Sequence, residues 1–142
     1  MPQSPTHRPD QLYFFLGHEG PSYVVQLRTD GLWSGTCMFE EVTSGGRRFE
    51  TTPQQWEEFW LAVERAGVWS WRHRYENFDV LDGQWWTLKL RHGSRSISVE
   101  GLNAYPGSDG PHYTPDSAFG QLLQALEHLV GPVQPEQPPI TA

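Results

Sequence analysis

Two segments of the chain carry apolar residues at helical spacing. In the first, Trp56, Phe59, Trp60 and Val63 follow an i, i+3, i+4, i+7 pattern, which places them on one side of a helix. Thr52 precedes this stripe as an N-cap residue, Pro53 suits the first helical position, and Gln55 completes a capping box with Thr52. Gly67 suits the position that ends a helix. The pattern predicts a helix from Thr52 to Ala66 that buries its apolar stripe against a sheet.

The second helical stripe lies near the end of the chain. It begins after Thr114-Pro115-Asp116-Ser117 and stops at Gly131-Pro132. Its apolar members are Phe119, Leu122, Leu123, Leu126, Leu129 and Val130. This continuous stripe predicts a second helix that packs on the same core.

The remaining segments alternate apolar and polar residues, or are short apolar runs, as strands do. Asp-Gly and Gly-Gly pairs separate several of them, which is typical of hairpin turns. The predicted strand segments are residues 12–16, 23–28, 32–39, 47–50, 69–76, 85–90 and 96–100. The order of elements predicts an α+β fold in which an antiparallel β-sheet of hairpins, or meander, has two α-helices packed on one face. We expect one domain over residues 11–131, with flexible proline-rich tails over 1–10 and 132–142.

The pair Trp85-Trp86 sets the expected faces of the second hairpin. Trp86, Leu88 and Leu90 share one face and pair with Ile97 and Val99, whereas Trp85, Thr87 and Lys89 take the other. A tryptophan on a face without helices has no core to enter, which favours a contact surface. The predicted binding residues are Trp33, Trp85, Lys89, Asn103, Tyr105, His112 and Tyr113.

The last four of these residues belong to a long segment after the final strand. It contains Gly, Pro and aromatic residues over about a dozen positions, and loops of that length often carry function. An equally weighted interpretation is a crossing segment, in which Asn103 caps the strand end and Tyr105 packs under the last helix.

Composition narrows the function classes. The chain has 142 residues, a formal net charge of −7, seven tryptophans and one cysteine, Cys37. The negative charge disfavours nonspecific binding to nucleic acid or to acidic membranes. No apolar run is long enough to span a bilayer, and a lone cysteine agrees with a reducing compartment. We expect a cytoplasmic protein.

Residues that could perform chemistry do not form a recognised motif. The chain lacks a dinucleotide-binding or phosphate-binding glycine loop, and its six histidines lack metal-ligand spacing, so no cofactor and no metal are predicted. The alternative to a binding role is a small hydrolase-like enzyme, in which the carboxylates Glu76, Asp79 and Asp82 act with His73 or His92.

Part of the sequence resembles known small domains. A tryptophan-bearing hairpin after Asp82-Gly83, followed by Gly101-Leu102-Asn103-Ala104-Tyr105-Pro106 and a leucine-rich helix, is similar to bacterial domains of uncharacterised function that end in Gly-x-Asn-x-Tyr/Phe-Pro. The element order from Leu12 to Val130 also resembles that of emfourin-type protein inhibitors of metalloproteinases. The resemblance implies a noncatalytic bacterial protein-binding module, such as an inhibitor, immunity or accessory protein, and transfers no site residues. Another protein, or a second copy of this chain, is the expected partner.

Overall fold

A computed structural model describes residues 8–17, 22–38, 41–42, 46–78, 84–108 and 112–130, without the side chains of 36–38 and 41–42. Several predictions therefore fall outside the described residues: most of both proline-rich tails, the side chain of Cys37, and the carboxylates Asp79 and Asp82. Of the predicted N-terminal tail, residues 8–10 are described. Asp10 accepts a hydrogen bond from the Gly93 backbone N–H at 2.8 Å, so this end of the tail is bound to the sheet.

The described residues form an eight-stranded sheet and two helices. The elements are β1 Gln11–Gly17, β2 Ser22–Arg28, β3 Gly31–Met38, β4 Glu41–Val42, β5 Arg47–Phe49, α1 Pro53–Ala66, a 3₁₀ turn Val68–Ser70, β6 Arg74–Glu76, β7 Trp85–His92, β8 Arg95–Leu102 and α2 Ala118–Val130. The strand order is β4-β3-β2-β1-β7-β8-β6, and β5 also pairs with β3. Only β6 and β8 pair in parallel among these strands. The predicted α+β fold is confirmed.

Local sequence signals set the ends of α1. The Thr52 hydroxyl accepts a hydrogen bond from the Gln55 N–H at 3.1 Å, and the Gln55 side-chain oxygen accepts one from the Thr52 N–H at 2.8 Å. Gly67 ends the helix in the left-handed conformation, with φ of 69°, which a residue without Cβ adopts at little cost. The predicted capping box and helix end are both confirmed.

The core lies between the sheet and the two helices. Phe14 of β1 stands opposite Val25 of β2 and Leu88 of β7, and Leu88 stands opposite Val99 of β8. These side chains join Trp56 and other residues of both helices in one buried cluster. Because side chains alternate along a strand, the intervening residues face away from the helices.

Residues 69–76 differ from the predicted strand. The Ser70 N–H bonds to the Gly67 carbonyl, and the Trp71 N–H bonds to the Val68 carbonyl, which turns the chain through one 3₁₀ turn. Trp69 and Trp71 therefore point in different directions, and only Arg74–Glu76 pairs with the sheet. The alternation that indicated a long strand reflects a helical turn followed by a short parallel strand.

Trp60 is less buried than its place in the α1 stripe predicts. Its ring stacks at the protein surface on His92, with ring centroids 4.2 Å apart, and on Trp69 at 6.2 Å. Trp56, by contrast, is 2% exposed and donates its indole N–H to the Thr51 hydroxyl at 2.9 Å. The stripe extends beyond the edge of the core on this side.

The two tryptophans of α1 should therefore differ in their contribution to stability. Trp56→Ala is expected to lower the free energy of unfolding by about 3–5 kcal/mol, as loss of a buried ring does. Trp60→Ala should cost only about 1–2 kcal/mol, because part of its ring remains in water in the folded state. Urea unfolding of both variants measures the difference, and equal costs would contradict the placement of Trp60 at the surface.

Candidate functional site

The face of the sheet that points away from the helices carries a group of aromatic residues and a lysine. We call the surface formed by Tyr13, Phe15, Trp33, Trp85 and Lys89 the open sheet face. Trp85 is 40% exposed, whereas its neighbour Trp86 is 1% exposed. The predicted placement of these two rings on opposite faces is therefore confirmed, together with the predicted β7–β8 register.

Strand pairing places the residues of the open sheet face along a diagonal across the sheet. Across neighbouring strands, Trp33 lies opposite Gln26, Gln26 opposite Tyr13, and Tyr13 opposite Lys89. Trp85 lies four residues from Lys89 along the same strand. Three strand spacings and four residue rises separate Trp33 from Trp85 by about 20 Å. The patch is therefore long enough to contact a folded partner rather than a single small molecule.

A small apolar cluster supports the middle of this diagonal. Phe15 and Val24 are both buried, and Tyr13 packs against them. A Cβ at Gly17 would meet Cε2 of the Phe15 ring at 2.6 Å, so one edge of this ring lies against the glycine. The Trp85 ring centroid is 6.4 Å from that of Phe15. Trp85 is thus held against a fixed apolar surface while part of its ring stays in water.

Half of the basic residues of this acidic chain lie on the same face, together with the carboxylates Glu76 and Glu100. The register places five of the ten basic residues there: Arg28, Arg48, Arg74, Lys89 and Arg91. Arg48, Arg74 and Arg91 form ion pairs with carboxylates. Arg28 and Lys89 form none with the residues described, and lie instead over the rings of Trp33 and Tyr13 at 5.0 and 5.9 Å. These two cations are available to a partner.

Two of the predicted binding residues lie in the interior. Asn103 has φ of 52°, and its side-chain oxygen accepts the Gln84 N–H at 2.9 Å. The Tyr105 hydroxyl donates to the Gln84 side-chain oxygen at 2.8 Å, and its ring lies 4.8 Å from that of Phe119 in α2. Both residues are buried. Their assignment as surface contacts is wrong, and they belong to the crossing segment that was the alternative interpretation.

The last two predicted binding residues are also remote from the open sheet face. Tyr113 is partly buried, and its ring packs against Tyr105 and Phe119 on the helix side of the sheet, at 4.9 and 4.8 Å. His112 precedes it and is exposed. The structure therefore brings together Trp33, Trp85 and Lys89, and separates them from Asn103, Tyr105, His112 and Tyr113.

Burial of Tyr105 has a consequence at high pH. Loss of hydration raises the pKa of this phenol from 10.0 to about 12, with a smaller contribution from Tyr113. Between pH 10 and pH 12 the Tyr105 phenol is deprotonated in the unfolded chain but still protonated in the folded chain. The free energy of unfolding is therefore unaffected by this group below pH 10 and falls as the pH rises toward 12. Tyr105→Phe should reduce that fall. Urea unfolding at several pH values in this window tests it, and an identical pH dependence in both proteins would contradict it.

Among the described residues of the enzymatic alternative, Glu76 and His92 lie far apart on the sheet. Glu76 pairs with Leu102 of β8, which pairs with Trp85 at the start of β7. His92 ends β7 seven residues later, about 23 Å from Trp85 along the strand. A ring nitrogen of His73 lies 3.2 Å from the Ser98 carbonyl oxygen. Within the described ranges, no three metal-ligating side chains cluster, and Asp79 and Asp82 lie outside them. The alternative gains no support from the described part of the chain.

Sequence reasoning missed a second surface, which lies beside α1. A cleft of about 550 Å³ there is lined by Glu57, Trp60, Leu61, Glu64, Trp69, His92 and Arg95. We call this cleft the tryptophan groove. The lining residues come from α1, the 3₁₀ turn and the β7–β8 turn, which are far apart in sequence. The only sequence signal for the groove is that the apolar stripe of α1 extends beyond the core at Trp60.

Comparisons with known proteins add no family. No family model matches this chain, and no curated protein matches it significantly in sequence. In the part of the chain that the structure describes, no helix is long and apolar enough to cross a membrane. The two surfaces described above are therefore the features of this chain that bear on its function.

Proposed function

We propose that this chain is a noncatalytic protein-binding module, of the inhibitor, immunity or accessory kind, that binds its partner through the open sheet face. The observation that carries the proposal is Trp85, a large ring that is 40% exposed on the face opposite the two described helices. Binding would remove its apolar surface from water, at about 25 cal/mol per Å². Tryptophan is also the residue type most enriched among energetically dominant contacts.

The charge of the surface favours a partner with carboxylates. Arg28 and Lys89 lie over aromatic rings on the open sheet face and form no ion pair with the described residues. The Asp30 carboxylate lies nearby, where it accepts at 3.0 Å the indole N–H of the ring that Arg28 covers. Two such cations suit an acidic protein surface. The net charge of −7 repels a polyanion, which disfavours nucleic acid as the partner.

The resemblance to emfourin-type inhibitors is part of the same proposal. It agrees with a role exerted by surface contact rather than by a reaction. We also propose that the protein is bacterial and cytoplasmic. Metalloproteinases are therefore one class of enzyme to include among the candidate partners.

A comparison of three immobilised proteins tests the proposal. Wild type, Trp85→Ser and Leu61→Ser are exposed to extracts of the source organism, and captured proteins are quantified. Leu61 is 60% exposed on α1 and controls for loss of surface hydrophobicity outside the open sheet face. We expect a defined protein to be lost with Trp85→Ser and retained with Leu61→Ser.

The captured protein must then bind the purified chain directly. Its affinity should fall as the salt concentration is raised, because salt screens charge pairs that are exposed to solvent. Equal capture by wild type and Trp85→Ser would contradict the proposal. Capture that nuclease abolishes would replace protein by nucleic acid as the partner. Sedimentation showing a Trp85-dependent dimer would make a second copy of this chain the occupant of the face.

A further inference from the structure

The tryptophan groove lies on the helix side of the sheet, away from the open sheet face. The ring centroids of Trp60 and Trp69 are 6.2 Å apart, and the ring planes differ by 15°. His92 stacks on Trp60 at 4.2 Å, and the Arg95 guanidinium lies over Trp69 at 4.6 Å. The volume of about 550 Å³ falls within the range of about 300–1,000 Å³ that is typical of ligand pockets.

The turn between β7 and β8 fixes the shape of the groove. His92 and Arg95 are paired on either side of that turn, so their side chains share a face of the hairpin. Arg95 is bound to Glu64 of α1 at 2.8 Å, and the Asp10 carboxylate accepts the Gly93 N–H at 2.8 Å. Contacts within the chain therefore hold the groove in place, which lowers the entropic cost of binding a ligand there.

A cation of the chain itself already lies in part of the groove. The Arg95 guanidinium lies over the Trp69 ring and is bound at the same time to the Glu64 carboxylate. The ring attracts the cation through its quadrupole, and the carboxylate balances its charge. A guanidinium suits both contacts, because it is planar and donates hydrogen bonds in a fork. The groove is thus shown to accept this group.

Helix α1 carries the same two kinds of side chain a second time. Glu57, Trp60 and Glu64 stand at positions i, i+3 and i+7 of α1, which lie on one side of a helix. Glu57 is exposed and forms no ion pair with the described residues. With His92 neutral, two carboxylates and the one guanidinium of Arg95 leave the groove with a net charge of −1. This charge favours a cationic ligand.

A hydrogen-bond donor in the groove favours a peptide as the source of that cation. The Trp69 indole N–H forms no hydrogen bond with the described residues. An indole N–H is a donor only, and a backbone carbonyl beside an arginine side chain supplies the acceptor that it needs. Simple guanidinium compounds have no such carbonyl.

We propose that the tryptophan groove binds an arginine side chain of a peptide or partner protein. The guanidinium would pair with the Glu57 carboxylate beside the Trp60 ring, and a backbone carbonyl of the same peptide would accept the Trp69 indole N–H. A lysine ammonium carries the same charge but is not planar, so it would bind less tightly. This site is separate from the open sheet face, and it does not depend on the function proposed for that face.

Titration of the full-length protein with blocked amino acids tests the proposal, with indole N–H resonances as the readout. Single Trp→Phe variants assign the signals of Trp60, Trp69 and Trp85. Nα-acetylarginine amide should shift the Trp60 and Trp69 signals to saturation and leave the Trp85 signal unchanged. Nα-acetylcitrulline amide has nearly the same shape without the charge. It should bind about fivefold or more weakly, because it loses the attraction of the ring and of the carboxylate for a cation.

Two variants with the same change in net charge locate the site. Glu57→Gln should weaken binding of the arginine probe by about two- to fivefold, as loss of an exposed ion pair does, and leave binding of the citrulline probe unchanged. The matched control is Glu58→Gln. Glu58 is adjacent in sequence but lines a different cleft, between α1 and α2, so this variant should bind the arginine probe as wild type does.

Equal affinity for the arginine and citrulline probes would overturn the proposal, as would the absence of a saturable shift. Equal weakening by Glu57→Gln and Glu58→Gln would also overturn it, because net charge alone would then account for binding. A shift of the Trp85 signal alone would place the arginine on the open sheet face instead. Nα-acetyllysine amide that binds as tightly as the arginine probe would contradict a site for a planar cation.

Discussion

Trp86→Ala is expected to lower the free energy of unfolding by about 3–5 kcal/mol, the range observed for buried rings. Trp86 is 1% exposed. Its ring centroid lies 4.7 Å from that of Phe119 and 6.1 Å from that of Trp71. Its indole N–H also donates to the Ala104 carbonyl at 3.0 Å. Alanine would leave a large cavity and remove that hydrogen bond.

Urea unfolding measures this cost, with Trp85→Ala as the matched control. The two tryptophans are adjacent in sequence, but Trp85 lies on the open sheet face, where a substitution should cost at most about 1 kcal/mol. Comparable destabilisation by the two variants would contradict the assigned faces of β7.

Gly101→Ala should destabilise the fold through the same ring. Gly101 of β8 lies directly opposite Trp86, and a Cβ at this position would overlap the indole. The ring cannot move aside easily, because Ala104 holds its N–H and Phe119 packs behind it. We expect a cost at the upper end of the about 1–3 kcal/mol typical of overpacked cores.

The cost of Gly101→Ala should depend on the size of residue 86. In a Trp86→Leu background the alanine methyl has room, so the cost should fall to near zero. A double-mutant cycle from urea unfolding of the four proteins gives the coupling energy. Independent effects of the two substitutions would contradict the proposed steric origin.

Local signals in the sequence were sufficient for α1 and for the β7–β8 hairpin. The Thr52 and Gln55 capping box and Gly67 set the helix ends, and alternation from Trp85 to Leu90 set the register of the hairpin. These features depend on residues a few positions apart. They could therefore be predicted without knowledge of the remaining fold.

Features that depend on distant residues could not be predicted in this way. The apolar stripe of α1 does not show where the sheet beneath it ends, so Trp60 was expected in the core. The pairing of β1 with β7 and of β6 with β8 joins residues far apart in sequence. The position of Tyr105 depends on α2, and that of Trp69 depends on a 3₁₀ turn that imitates strand alternation.

The candidate site was predicted in part for the same reason. Alternation alone placed Trp33, Trp85 and Lys89 on exposed strand positions, and the structure places them on one face. Asn103 and Tyr105 were misassigned because glycine, proline and aromatic residues occur both in exposed loops and in crossing segments. Their partners, Gln84 for Asn103 and Phe119 for Tyr105, are 19 and 14 residues away in sequence.

The affinity of the partner for wild type and for Trp85→Ser, measured by titration calorimetry on purified proteins, tests the central claim most directly. Loss of a dominant tryptophan contact commonly costs about 2 kcal/mol or more, so we expect binding to weaken by about 30-fold or more. Leu61→Ser should bind as wild type does, and both variants should remain folded. Unchanged affinity in Trp85→Ser would contradict binding through the open sheet face.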